Sequence, residues 1–201
     1  MSMIITIGRE YGSGGREIGQ LVAEKLGVPF YDNEILTRAA QESGLCPEVF
    51  EHHDEKASIG GLLHAVPGMN LPAAGLQMPL DQRVFQAQFD AIGKLAGEGS
   101  CVIVGRCADY VLRDLPDVTR IILYASPEKR IERIMRIEKV DRDKARELIR
   151  KMDRQRKNYY NFFADGNWGM RSNYDLMICT DGHAPQSIAD AIISFAKEKK
   201  M

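Results

Sequence analysis

The sequence predicts an α/β fold of three layers: a central parallel sheet of five strands with helices on both faces. Three observations carry this. Five short apolar, β-branched runs alternate with amphipathic stretches at helical spacing along 201 residues. The first run passes through a glycine-rich loop directly into a helix. The length and the 44% hydrophobic content suit a single domain able to bury a core on both sides of a sheet.

The elements follow in order. Residues 3–7 (MIITI) read as a buried parallel strand. Ile18, Leu21, Val22 and Leu26 then recur at helical spacing, and Gly27 stops the helix. Residues 28–32 (VPFYD) form a second strand, and residues 33–44 a helix ending near Gly44. From residue 46 to 79 the texture becomes irregular, and Pro67, Pro72 and Pro79 cut any long helix. Helical spacing returns over residues 80–96 through Val84, Phe85, Phe89, Ile92 and Leu95. Residues 101–105 (CVIVG) and 119–126 (TRIILYAS) are the third and fourth strands, with a short helix at 108–114 between them. Ser126, Pro127 and Glu128 supply an N-cap, a proline at the first helical position and an acid in the first turn. Residues 127–158 read as helical and very basic, 174–181 as the fifth strand, and 185–199 as the closing helix.

The loop after the first strand holds Gly8, Gly12, Gly14 and Gly15. Glycines let backbone N–H groups converge on phosphate oxygens, and the following helix adds the positive end of its dipole. The candidate phosphate-binding residues are therefore Gly12, Ser13, Gly14, Gly15, Arg16 and Glu17. A tight strand-to-helix turn without a ligand is the alternative, but such a turn has no need of four glycines within eight positions. The P-loop pattern G-x-x-x-x-G-K-[ST] does not match. Neither does G-x-G-x-x-G, because GSGGRE puts Glu17 at the third glycine, although Asp32 stands where a dinucleotide fold keeps its ribose-binding acid.

The segment ITIGREYGSGGREIGQLVAEKLGVPFYDNEILTR resembles the opening of bacterial cytidylate kinases, and more closely the cytidylate kinase-like group. Laid without gaps on I-T-I-D-G-P-S-G-A-G-K-G-T, Gly12 and Gly14 match, Gly15 falls at the lysine and Glu17 at the threonine. The resemblance implies a P-loop nucleoside monophosphate kinase fold with a helical lid, ATP and Mg²⁺ as cofactors, and small nucleotide substrates. Arg16 is the cation placed to reach the β- and γ-phosphates in the lysine's stead; its guanidinium is always charged and grips two oxygens at once. Ser13 or Glu17 would replace the threonine at Mg²⁺, and Glu17 alternatively serves only the helix N-terminus.

On the acceptor side, YDNEILTR lies over L-D-S-G-x-x-Y-R, which implies Arg38 on the acceptor's phosphate and Asp32 beside the attacking oxygen or the metal. A solvated arginine and a helix N-cap are the plainer readings of these two residues. VIVGRCADYVL resembles the segment that reads G-R-D after a strand: Gly105 and Arg106 match, Cys107 takes the aspartate's place, and Asp109 follows two residues later. The resemblance implies acceptor recognition by Arg106 and Asp109. Pairing of Arg106 with Asp109 or Asp114 is the alternative.

Residues 149–163 (IRKMDRQRKNYYNFF) carry three arginines, two lysines and one acid, then four aromatic residues. They resemble the D-R-x-R lid segment of these kinases, which implies Arg154 and Arg156, with Arg150 second, on the transferring phosphoryl group. The resemblance is strong over 4–38 and 101–126 and weaker over 149–181. The expected organisation is one domain, 1–201, with 46–97 as an inserted, mobile acceptor-binding segment and 127–163 as a basic lid.

The net charge of −1 argues against a dedicated nucleic-acid binder. Cys46, Cys101, Cys107 and Cys179 are dispersed, which fits free thiols in a reducing cytoplasm. No targeting segment and no span of about 20 apolar residues is seen, so a cytoplasmic protein is expected. Homo-oligomers are compatible with all of this. The expected function is ATP-dependent phosphoryl transfer to a small acceptor, a nucleoside monophosphate first of all. One rival is a nucleotide-binding regulatory or interaction protein that has lost catalysis, suggested by the missing lysine and threonine. A second, an NAD-dependent oxidoreductase, leaves the basic lid without a purpose.

Overall fold

The computed structural model describes residues 2–44, 80–164 and 166–199. Of the expected insert at 46–97, residues 46–79, Cys46 among them, lie outside the described residues.

One sheet holds the five strands β1 (Ile4–Arg9), β2 (Phe30–Tyr31), β3 (Cys101–Val104), β4 (Val118–Tyr124) and β5 (Leu176–Cys179). Their order is β2-β3-β1-β4-β5 and every pairing is parallel. Thus β1 lies in the middle, and its carboxyl end opens where the chain's crossovers diverge to either side, the usual place for a ligand in such a sheet.

The helices are α1 (Gly15–Leu26), α2 (Glu34–Ser43), α3 (Leu80–Glu98), α4 (Ala108–Val111), α5 (Pro127–Glu138), α6 (Arg142–Phe163) and α7 (Pro185–Glu198). The two-residue period of β1 divides them into layers. Ile4 faces a core with Ile35, Ala39, Val84, Ile92 and Ile103, which belongs to α2 and α3. Ile5 and Ile7 face the opposite core with Ile18, Val22, Val104, Leu123 and Ile192, which belongs to α1 and α7. Each fully buried isoleucine contributes about 1.5–3 kcal/mol, so these two cores fix β1 from both faces.

The basic stretch 127–158, read as helical, forms two helices in a hairpin. Lys139 turns left-handed at φ 53°, and Asp141 restarts the chain by accepting the Lys144 amide. The two helices close on Ile131, Ile134, Ala145 and Ile149, with Tyr11 of the glycine loop packed against them. The aromatic tail of α6 anchors it: the Phe163 ring stacks on Phe85 at 4.1 Å, and Tyr159 donates to Gln88 Oε1 at 2.6 Å. Burial of Tyr159 and Tyr160 therefore removes them from any nucleic-acid surface. Among the described residues no helix is long and apolar enough to cross a membrane.

Candidate active site

The glycine loop leaves β1 at its central position. Glu10 donates its amide to Leu123 O at 3.0 Å, and the buried Ser13 donates its hydroxyl to Glu10 O at 2.9 Å. Gly12 and Gly14 both adopt φ 87°, a conformation an L side chain resists. Gly14 is the N-cap of α1 and no side chain caps that helix. The first-turn amides of a helix have no acceptor within it, so the loop directs backbone donors and a positive dipole end into one concavity.

The helical hairpin lies directly over this loop. A Cβ on Gly12 would come within 3.0 Å of the Arg130 carbonyl, and one on Gly14 within 3.0 Å of the Arg133 guanidinium. Asp153 of α6 pins the turn: one oxygen accepts the Tyr11 amide at 2.8 Å and the other accepts Arg130 Nη1 at 2.5 Å. Burial raises the Glu10 carboxyl's pKa, while Arg130, 3.4 Å away, opposes the shift. Arg156 donates to the Arg9 carbonyl at 3.2 Å and lies 5.6 Å from the Tyr11 ring centre. Tyr11 donates its hydroxyl to Glu138 at 2.8 Å, and Arg133 pairs with Glu17.

The floor of the cleft is ionic. Since β2 and β3 are neighbours, Asp32 after one meets Arg106 after the other, with Arg106 Nη1 2.6 Å from Asp32 Oδ1. Arg106 also donates to Val104 O and to Asn33 Oδ1. Left-handed backbone at Arg106 (φ 54°) and Cys107 (φ 55°) turns the chain back on itself here, a strain that persists only where the surroundings enforce it. The Arg106 and Asp32 side chains are 1% and 9% exposed. The second Asp32 oxygen faces Arg16 Nε at 3.1 Å, and Arg16 is 59% exposed. Asp32 thus bridges a buried guanidinium and one at the cleft mouth.

Two clefts meet at the loop. One is bordered by Arg9, Arg16, Asp32, Arg106, Arg133 and Arg156; the other by Ala125, Lys129, Arg136, Asp181 and His183. Gly12 and Arg133 belong to both. Such a pair of compartments sharing a cationic junction can hold two anionic molecules end to end.

Of the residues singled out from the sequence, Gly12, Gly14, Gly15, Arg16, Glu17, Asp32, Arg106 and Arg156 line the first cleft, and Ser13 is buried within the loop. Asp109 lies behind Arg106, buried, accepting the Tyr160 hydroxyl at 2.8 Å; burial raises its pKa. Arg38 pairs with Glu42 at 2.5 Å and Glu98 at 2.9 Å outside that lining. Arg150 and Arg154 sit on a separate face of α6 with Asp143 and Glu147. Arg9, Tyr11, Arg130, Arg133 and Asp153 were not singled out from sequence. The three-residue spacing of Arg130 with Arg133, and of Asp153 with Arg156, puts each pair on one helix face, but nothing local marks which face meets the loop.

Among the described residues no three His, Cys, Asp or Glu side chains are grouped to cage a metal. A Mg²⁺ carried by phosphates needs only one or two carboxylates, and Glu17 and Asp32 both line the cleft. The donor set is compatible with such an ion, with Ser13 already committed to Glu10 O and Glu17 to Arg133.

Comparison with known proteins places this geometry in context. The model of the cytidylate kinase-like family matches residues 4–182. A cytidylate kinase of Methanobrevibacter smithii is 27% identical over 197 residues, 97% of this chain and 99% of that protein. A crystal structure of a protein from Eubacterium ventriosum is 28% identical, with TM-score 0.72 over 97% of this chain and 98% of that one. The shikimate kinase of Acinetobacter baumannii, solved with shikimate, shares the fold at 16% identity, with TM-score 0.54 over 100% of this chain and 96% of that one.

Proposed function

As this chain belongs to the cytidylate kinase-like family, we propose that it is an ATP-dependent phosphotransferase whose acceptor is a nucleoside monophosphate. The observation that carries the reading is the setting of five arginines (Arg9, Arg16, Arg106, Arg133 and Arg156), with Asp32 between Arg16 and Arg106, around a glycine-lined, uncapped helix start. Phosphoryl transfer is mainly positioning and charge neutralisation, and this cleft supplies both.

The loop amides of residues 12–17 bind the phosphates of ATP. Arg16, tethered to Asp32 at the mouth, contacts the outer phosphate. Asp32, held by buried Arg106 on one oxygen, holds Arg16 on the other, so that guanidinium donors face the acceptor's attacking phosphate oxygen. The γ-phosphorus bond to its bridging oxygen breaks as the bond to the acceptor oxygen forms. Arg156 and Arg133, both bordering this cleft from the hairpin over the loop, neutralise charge on the moving group. Of the three lid arginines named from sequence, Arg156 alone lines this cleft, while Arg150 and Arg154 face outward. Mg²⁺, when bound through Glu17, Ser13 or Asp32, would neutralise the triphosphate. Arg38 is the arginine for the acceptor's phosphate, reached by displacing Glu42 and Glu98.

The test is a thermal-shift screen of nucleoside monophosphates with and without ATP, followed by kinetics on the best acceptor. The reading predicts that one monophosphate raises the melting temperature, and that Arg38→Ala raises that acceptor's KM far more than the KM for ATP. An equal effect on both would remove Arg38 from the acceptor site. Stabilisation by nicotinamide dinucleotide and not by ATP would replace the reading by the oxidoreductase one.

A further inference from the structure

The loop lacks a lysine, yet its geometry also leaves no room for one. In the pattern G-x-x-x-x-G-K, with Gly14 as the second glycine, the lysine falls at Gly15 and the first glycine at Arg9. A Cβ on Gly15 would lie 2.5 Å from Arg9 Cβ and 2.9 Å from Arg9 Cγ. Approaches under 3.0 Å do not occur between real Cβ atoms and their neighbours, and here the obstruction is the root of a side chain. That root cannot swing away, because Arg9 ends β1, opposite Leu123, and its carbonyl accepts Arg156 Nη1. A side chain at 9 and a side chain at 15 therefore exclude each other. The chain has a glycine where the pattern has a lysine, and a cation where the pattern has a glycine.

The geometry points to Arg9 as the loop's principal phosphate-binding cation, delivered from the end of the strand through the space that a lysine stem would fill. This assignment rests on the phosphotransferase reading above and deepens it. Arg9 borders the same cleft as Arg16, Asp32 and the loop glycines. The two arginines then divide the triphosphate: Arg9 reaches it from the strand side, and Arg16 from the mouth, where Asp32 holds it. A guanidinium, unlike an ammonium, can bridge two phosphate oxygens in one plane. Gly15 is in this view a steric requirement of Arg9: a lysine at 15 is admitted only when 9 is a glycine.

The experiment is a swap. Wild type, Arg9→Gly, Arg9→Lys, Gly15→Lys and the double variant Arg9→Gly/Gly15→Lys are titrated calorimetrically with Mg·ATP and with inorganic triphosphate, and melted by circular dichroism. Arg9→Gly is expected to fold and to bind both ligands about 10- to 100-fold more weakly, as for loss of charge-assisted hydrogen bonds, with Arg9→Lys recovering part of the affinity. Gly15→Lys alone should melt earlier and bind poorly, whereas the double variant should regain both melting temperature and triphosphate binding. Unchanged triphosphate affinity in Arg9→Gly overturns the assignment, as does a Gly15→Lys protein as stable as wild type. Those results would leave ATP binding by wild type intact; a wild-type protein that binds neither ligand overturns the phosphotransferase reading as well.

Discussion

The hairpin of α5 and α6 carries arginines on two faces, and the two differ in what holds them. On the inner face Arg130 lies 2.5 Å from Asp153, Arg133 meets Glu17, and Arg156 donates to the Arg9 carbonyl; all three are anchored to the glycine loop or to a residue that pins it. On the outer face Arg146, Arg150 and Arg154 stand among Asp143, Glu147 and Lys151 in solvent. Charge density is similar along both, so density does not locate the site. The fixed, half-buried partner does, because exposed ion pairs contribute little while partners held in place are costly to remove.

Substitutions at five positions would break or sharpen this contrast. The largest effect belongs to the floor of the cleft: Asp32→Ala leaves Arg106 charged and buried, and should cost about 3–5 kcal/mol in urea unfolding. Asp32→Asn, which keeps an acceptor, should cost less. Next, Asp153→Ala frees the Tyr11 amide and Arg130 together, and should cost about 2 kcal/mol while weakening ATP binding through a looser loop.

A carboxylate far from both faces calibrates the scale. Asp175 accepts the Arg120 amide at 2.8 Å and Lys199 Nζ at 2.8 Å, tying β5 to β4 and to the end of α7. Burial raises its pKa, but the hydrogen bonds from Arg120 and Lys199 outweigh this and hold it at about 2. An ordinary aspartate titrates near 3.9, so the folded pKa is depressed. The stability it confers is present above that value and is lost as pH falls toward about 2. The stability gap between wild type and Asp175→Asn, about 1–2 kcal/mol at neutral pH, should close over that acidic window in pH-dependent urea melts. The smallest effect is expected on the outer face, where Arg154→Ala should change stability by under about 0.5 kcal/mol and leave kcat near wild type, whereas Arg156→Ala should lower kcat. Equal losses of kcat in both would mean that α6 turns its outer face inward during turnover.

Much of the fold was legible in local pattern. The apolar runs marked all five strands, since buried parallel strands need no alternation, although β2 narrowed to Phe30–Tyr31, which pair with β3 alone. The break between α5 and α6 was missed because Lys139 is an ordinary helix former; only the capping Asp141 betrays it. Within the site, the loop glycines and Asp32 were legible because each sits at the end of a recognisable strand. Arg133 was not, since its charge looked the same as its neighbours' and only tertiary packing places it over Gly14. Arg9 was hidden for a different reason: its meaning lies in a contact with Gly15 that no periodicity reports.

The central claim is that this loop, without its lysine, still presents ATP for transfer. The most direct measurement is ³¹P NMR of the purified protein with Mg·ATP and each nucleoside monophosphate in turn. The account predicts loss of the γ-phosphate signal matched by equal amounts of ADP and one new nucleoside diphosphate. ATP left intact beside every acceptor, even while bound, would contradict it and favour a regulator that holds the nucleotide without turning it over.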